Sequence, residues 1–430
     1  MRILLVSEDI PYPNMGGLAK HVLNLARALI QEGHAVDLLG GDQHPLEIAG
    51  DEVKFGGRFF SELNGHLAGW KETKLKVYMP YRRTWVAKHF ARIIMRHAPN
   101  YDVIHYHGHV PNVGLYIPEN INFVQTRHDQ GSDCLINTRF KNGKICTETS
   151  PRACASCANV NANPAQRIIS TVAVSQYRKQ VAKSFQRHKT IFVSNNLKRN
   201  AARVFGDQVS SGMVVPHFVN RDGIEKARKE AANTAVQDGK FHIFIAGKLY
   251  YAKGIEPFLR ELFPRIRPDM HITIAGDGPD EARLRSEFKS GQIEFLGWCS
   301  QEKTLQLAAS ADAIVVPSIL EEAFGATTLE GILLGKPTFA LAIGATPELG
   351  IYATGKDQLH LHMNMHALVN DLLSSKLHVT YPMPSTSLGG PAQVIQQLLR
   401  IYNLPPGNSV EKEKIEDLSK RFEQRVSFEQ

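Results

Sequence analysis

No stretch of this 430-residue chain approaches the roughly 18 apolar residues that a membrane-spanning helix needs. The opening MRILLVSEDIPYP holds only four consecutive apolar residues and no small-residue cleavage site, so it reads as a first strand rather than a secretory signal. Both absences lead to the expectation of a cytoplasmic protein. No G-x-G-x-x-G follows either opening strand, RILLV or HIFIA, which argues against a nicotinamide-dependent enzyme. The segment GILLGKP imitates a phosphate-binding P-loop, but it is one residue short and has Pro337 where Ser or Thr would hold magnesium. Basic residues are not interleaved with aromatics, so no nucleic-acid partner is expected. Short internal periods and low-complexity segments are also missing.

What is present suits a globular, folded chain. Hydrophobic residues make up 43% and charged residues 21%, enough to bury sizeable cores, and the length exceeds what one core usually serves. A net charge of +8 points to an acidic partner such as a phosphate-bearing substrate or anionic lipid. Strand and helix signals alternate. RILLV is followed by the turn PYPNMGG and a helix with Val22, Leu25, Ala26 and Leu29 on one face, ended by Gly33. AVDLL, DVIHY and STVAV read as buried strands. After the charged segment RDGIEKARKEAANTAVQDGK the programme restarts with strand HIFIA, turn GKLYYAKG and helix IEPFLRELF, then strands HITIA, IEFLG and AIVV. The expected fold is α/β: two doubly wound, Rossmann-like domains facing each other across a cleft. Their expected extents are 1–218 with a Cys-rich insert at 134–157, 219–390, and 391–430 as a crossover helix and charged tail.

Two loops of the second half carry chemistry. The stretch EEAFGATTLEG places Glu322 and Glu330 with seven residues between them, around Phe324 and Gly325, just after strand AIVV. A helix starting near Gly325 would offer unpaired amides to an anion, and Glu330 on its packed side would need donors such as ribose or sugar hydroxyls. Two surface acids near a helix start is the plainer reading. Lys248 and Lys253 lie on the Gly-bounded turn after HIFIA, where two ammonium groups can neutralise a diphosphate. Finding both loops on one kind of sheet edge favours a diphosphate site over solvated side chains.

GKLYYAKG, AGDGPDEARL and PSILEEAFGATTLEGILLGKPTFA together resemble the C-terminal domain of the retaining family-four glycosyltransferases of GT-B fold, glycosyl transferases group 1. PYPNMGGLAKHVLNLARALIQEGHAV, DVIHYHG and VQTRHD resemble their N-terminal domain, and PAQVIQQLLRIYN is similar to their crossover helix. The resemblance implies that Glu322 contacts the donor sugar, that amides near Phe324 and Gly325 hold sugar or diphosphate, and that Glu330 takes the ribose. It implies diphosphate contacts for Lys248 and Lys253, the family usually having Arg at the first of these positions. Gly16 and Gly17 would pass close to phosphates or acceptor, and His128 would be the active-site histidine. Where the family has a double glycine near GATPEL, this chain has Ile343, Gly344 and Ala345.

The activity so implied is metal-independent, retaining hexosyl transfer to a glycan or lipid-linked acceptor in cell-surface polysaccharide or lipopolysaccharide synthesis. The donor would be a UDP-sugar, or else a GDP-sugar. A sugar-nucleotide epimerase of the same fold would convert its substrate without an acceptor, and a non-catalytic sugar-nucleotide-binding module would release no product. His105 and His107 share one strand face, but no third ligand sits at a telling spacing, so buried, hydrogen-bonded histidines are the expectation. Four cysteines, Cys134, Cys146, Cys154 and Cys157, fall within one 24-residue stretch, a pattern that favours a closed structural zinc site over disulfides in a reducing compartment. Unpaired thiols in a loop is the alternative. RRTWVAKHFARIIMRHA sets Val86, Phe90, Ile93 and Ile94 on one side and Lys88, Arg92 and Arg96 elsewhere. That pattern fits either peripheral docking on the inner membrane face or a helix packed on its own sheet.

Overall fold

Short runs rich in Ile, Leu and Val become parallel strands in two separate sheets. The computed structural model describes residues 1–11, 16–44, 54–64, 73–74, 77–78, 80–219, 221–233, 238–375, 379–384 and 390–407. Most of the expected charged tail, and part of the first Pro- and Gly-rich turn, lie outside them. The chain divides into two units: Met1–Arg139 with Thr147–His217 and the chain from Pro391, and Phe140–Cys146 with Phe218–Gly390.

The first unit holds β1 (Arg2–Ser7), β2 (Ala35–Gly41), β3 (Phe59–Leu63), β4 (Val103–His107), β5 (Phe123–Arg127), β6 (Lys189–Phe192) and β7 (Met213–Val214). Their order in one parallel sheet is β7-β6-β5-β4-β1-β2-β3. Ile3, Leu4, Leu5 and Val6 are all fully buried, as a parallel strand covered on both faces requires. Helix α1 (Gly17–Gln31) buries Val22, Leu25, Ala26 and Leu29, and the chain turns away at Gly33.

One expectation is corrected here, and one open alternative is narrowed. STVAV is not a strand but part of α4 (Pro164–Arg187), which follows α2 (Tyr81–His97) and α3 (Pro151–Ala158). The side chain of Asn163 accepts from the Gln166 amide while Gln166 reaches back to the Asn163 amide, and Pro164 opens the first turn. Val174, Tyr177, Val181 and Phe185 then recur at helical spacing and are buried, so the helical period prevails over the local β-branched run. Helix α2 follows the packed reading. Its stripe of Val86, Phe90, Ile93 and Ile94 packs into the core with Tyr106, Val110 and Phe123, so it is not available to lipid. Among the described residues no helix is long and apolar enough to cross a membrane.

The second unit begins with the charged segment, which forms α5 (Arg221–Asn233) and buries Ile224 and Ala227. Its sheet runs β10-β9-β8-β11-β12-β13, all parallel, from β8 (Phe241–Ala246), β9 (Met270–Ala275), β10 (Ile293–Gly297), β11 (Ala313–Val316), β12 (Thr338–Leu341) and β13 (Leu359–His362). Helices α6 (Ile255–Leu262), α7 (Ala326–Leu333) and α8 (Met365–Ser374) follow strands β8, β11 and β13. The core joins Ile243, Ile245, Ile272, Ile274 and Val315 of the sheet to Phe258, Leu259, Leu262 and Leu368 of the helices.

The last described helix, α9 (Pro391–Tyr402), belongs to the first unit. Lys189 Nζ donates to the carbonyls of Ile401 and Leu404 at 3.1 and 2.6 Å, and Asn122 donates to that of Tyr402 at 2.8 Å. These bonds satisfy carbonyls that the helix end leaves open, and the cation opposes the negative end of the helix dipole. Burial pulls the Lys189 pKa down to about 8.

Candidate functional site

In the second unit the loops leaving the carboxyl ends of β8, β9 and β11 are stitched together. The Leu249 amide donates to Asp277 O at 2.7 Å, joining the first two, and the Ile319 amide donates to Ala252 O at 3.1 Å, joining the first and third. Gly254 makes the second junction possible. Its φ is +73°, and a Cβ there would stand 1.8 Å from the Pro317 carbonyl oxygen. Lys253 is thereby held beside the acid loop. Its Nζ lies 2.6 Å from Glu322 Oε1, and the same oxygen accepts from Ser318 Oγ at 2.7 Å. Burial disfavours the Lys253 ammonium, but the charge and hydrogen bond of Glu322 outweigh it and the pKa is raised.

Around this pair stand the other predicted residues of the unit. Lys248 is exposed on the same loop as Lys253, and Phe324 is buried. Gly325 is the N-cap of α7 and has no side chain to cap the amides of the first turn, the end of a helix that suits an anion. Glu330 is half-buried one turn further on. Gly344, which the sequence reading treated only as a departure, supports the acid loop directly: its φ is +65°, and a Cβ would sit 2.7 Å from the Glu322 nitrogen. The next amide, Ala345, donates to Glu322 O at 3.0 Å. Ser318 was likewise missed, because a serine after a strand carries no signal until its neighbour across the loop is known. The assembled loops offer a held cation in Lys253, the amino end of a helix, and a carboxylate already polarised by two donors.

In the first unit, His128 is the middle link of a chain of imidazoles. His107 Nδ1 lies 2.9 Å from His128 Nε2, and His128 Nδ1 lies 2.8 Å from His217 Nε2. His21 from α1 stacks on His217 at 3.9 Å, and His105 bonds Tyr402 and Thr126 at 2.7 Å each. Burial depresses the proton affinity of every one of these rings, to about 4 for His21 and about 3 for His105. Both ring nitrogens of His128 are therefore engaged, and a contact with a sugar hydroxyl would exchange for one of these bonds. The expectation of buried, hydrogen-bonded histidines describes His105 and His107, while the partners His21 and His217 come from far along the chain.

Beside them lies a charged cluster that sequence spacing did not disclose. His109 bonds Asp129 at 2.6 Å and Asp9 at 3.0 Å. Burial works against its charge, yet the two carboxylates hold its pKa well above the ordinary value. Glu8 accepts from Tyr106 and from the His109 amide at 3.0 and 2.6 Å. Gly16 and Gly17 are exposed at the start of α1, and among the described residues nothing beyond the adjoining backbone lies within 4 Å of a Cβ built on either.

None of the four cysteines of the insert is in a disulfide, and all are partly buried. Cys154 and Cys157 lie on α3; the Cys154 sulfur accepts from Arg178 at 3.2 Å and the Cys134 sulfur from the Arg139 amide at 3.4 Å. Among the described residues, Cys134, Cys154 and Cys157 are not gathered into one set of mutually close ligand atoms.

Comparison with known proteins places this geometry. The model described as "Glycosyltransferase Family 4" matches residues 15–222, and "Glycosyl transferases group 1" matches residues 240–373. The chain is 25% identical to an uncharacterized glycosyltransferase of Methanocaldococcus jannaschii, over 81% of this chain and 82% of that protein. It is 24% identical to a glycogen synthase of Mycobacterium tuberculosis, over 81% and 80% of the two chains. Among solved structures, sucrose-phosphate synthase from Thermosynechococcus elongatus superposes with a TM-score of 0.59 at 18% identity, all of both chains being covered. Anabaena HepE in complex with UDP and glucose superposes at 0.57 with 13% identity, covering 93% and 99%. These structures share the GT-B fold.

Proposed function

Because this chain belongs to the family-four, group 1 glycosyltransferases, and is an enzyme of that kind, we propose that it moves a hexosyl group from a nucleotide sugar to a glycan or lipid-linked acceptor with retention of anomeric configuration. A UDP-sugar is the favoured donor, and a GDP-sugar is the next to test. The acceptor belongs to cell-surface polysaccharide or lipopolysaccharide assembly. The observation that carries the reading is the Lys253–Glu322–Ser318 contact beside the uncapped start of α7. It brings a fixed cation, free amides and a hydroxyl-accepting carboxylate to the carboxyl edge of one sheet, where such folds bind ligands.

In the reaction the bond from the anomeric carbon to the diphosphate oxygen breaks, and the electron pair leaves with the diphosphate. Lys253, Lys248 and the first-turn amides of α7 stabilise that charge, which is greatest in the transition state, so no metal is required. The acceptor oxygen bonds the same face of a short-lived oxocarbenium-like sugar and gives its proton to the departing phosphate. Glu322 orients sugar hydroxyls and Glu330 takes the ribose. A screen of UDP- and GDP-sugars for diphosphate release with and without acceptor, followed by assignment of the product anomer, tests the proposal. An inverted product, turnover to a new sugar nucleotide without acceptor, or abolition of activity by a chelator in folded protein would each overturn it. Glu330→Ala is expected to raise the donor KM more than it lowers kcat, and Glu322→Ala to lower kcat; the reverse split would exchange their assigned roles.

We also propose that Cys134, Cys146, Cys154 and Cys157 hold one structural zinc as a tetrathiolate. The donor chemistry fits, four thiolates being a ligand set of closed structural zinc sites, and Arg178 and the Arg139 amide donate to two of the sulfurs. Cys154→Ser is expected to yield zinc-poor protein of lower thermal stability. Elemental analysis of wild-type protein without stoichiometric zinc would remove this assignment.

A further inference from the structure

On the edge strand of the second sheet, two histidines and an aspartate converge. His360 and His362 alternate on β13, so both rings leave from one face of the strand, and Asp371 comes from α8. His360 Nδ1 lies 2.8 Å from Asp371 Oδ2, and His362 Nε2 lies 3.1 Å from the same oxygen. The three ligand atoms all lie within 4.8 Å of one another. Phe339 of the neighbouring strand stacks on both rings, at 14° and 4.2 Å for His360 and 5° and 6.5 Å for His362, and so fixes their planes.

The proton positions carry the argument. His360 Nε2 is 2.8 Å from the backbone carbonyl of Asp357, which can only accept, so Nε2 bears the hydrogen. In a neutral ring the bare lone pair of Nδ1 then faces the Asp371 carboxylate, an acceptor opposed to an acceptor. His362 Nε2 is buried beside that same carboxylate oxygen, 3.1 Å from it. Two nitrogens and one oxygen thus crowd together at distances a single ion could bridge. A bond from the far ring nitrogen to a carbonyl is also the feature that orients metal-ligating histidines.

We infer that His360, His362 and Asp371 form a binding site for a divalent transition-metal cation of the zinc class, with water completing the coordination. Nitrogen and oxygen ligands around tetrahedral zinc stand about 3.3 Å apart, so the two nitrogen–oxygen gaps need widen by only a few tenths of an ångström. Two imidazoles and one carboxylate suit zinc, copper or nickel better than calcium or magnesium. Such an ion would cross-link edge strand β13 to α8, a stabilising role separate from sugar transfer and from the cysteine segment.

The test uses full-length protein stripped by a chelator and titrated with Co²⁺, read by optical absorption, and with Zn²⁺, read by calorimetry and thermal unfolding. Thiolate ligation adds an intense near-ultraviolet charge-transfer band that a histidine–carboxylate site lacks, so the two environments are read separately. The wild type is expected to bind cobalt in a site without that band and to gain thermal stability with zinc. Asp371→Asn and His362→Gln should each weaken that site tenfold or more while leaving any thiolate band unchanged. Asp371→Asn preserves side-chain volume and keeps the test decisive should His362→Gln disturb the edge. Absence of any metal uptake outside thiolate ligation, or wild-type affinity in both variants, would overturn the inference.

Discussion

Lys253→Ala is expected to lose about 100-fold to 1,000-fold in turnover while the protein stays folded, the usual cost of removing one preorganised group from a developing charge. Lys253 sits at the sheet edge, 2.6 Å from Glu322, on a loop whose backbone is fixed by bonds that the substitution does not touch. Its raised pKa keeps it cationic throughout the neutral range. The effect should fall mainly on kcat, because the departing diphosphate carries more charge than the bound donor. Lys253→Arg keeps the charge but replaces a compact ammonium with a planar fork, so partial recovery is expected. Undiminished turnover in Lys253→Ala, measured with the donor found by screening, would remove this residue from the mechanism.

Acidification should destabilise the protein steeply below about pH 6.5, the ordinary histidine value. His21, His107, His128 and His217 are buried and depressed, so below that pH the unfolded chain binds protons that the folded rings refuse. Stability rises with pH wherever the unfolded state holds more protons, so it falls as pH drops, by up to about 1.4 kcal/mol per pH unit for each ring. The window runs from about 6.5 down to the folded values, about 4 for His21 and about 3 for His105. His109 has the opposite sign. Its pKa is raised, so its contribution is complete below about 6.5 and is lost only as pH rises through the folded value. Urea midpoints measured between about pH 7.5 and 4.5 will show the slope, and His217→Asn should reduce it. A midpoint unchanged down to about pH 5 would contradict the neutral-imidazole cluster.

How much of the site could be read in advance depended on chain distance. The placement of Lys248, Lys253 and Glu322 was legible because each lies on a strand-to-helix turn, with Glu330 in the helix that follows, and such turns gather at one sheet edge in any doubly wound fold. Ser318 and Gly344 were not, because their meaning lies in touching Glu322 from the side and from below. The histidine chain was legible in part: His105 and His107 announced themselves by alternation, whereas His21 and His217 reach it from elements more than 80 residues away.

By itself, the sequence determined the alternation of strand and helix, the two-unit plan and the loops that carry charge, because these follow from local period, turn residues and burial of short apolar runs. It misread STVAV, where a capping box and a long helical stripe outweigh five local residues, and it left two uses open for the α2 stripe. Only the tertiary structure decided that this stripe belongs to the core, that α9 returns to the first unit, and that His360, His362 and Asp371 meet. Those outcomes rest on contacts between residues distant in the chain. Pairing of that kind is fixed by which surfaces exclude water together, and spacing along one strand or helix does not encode it.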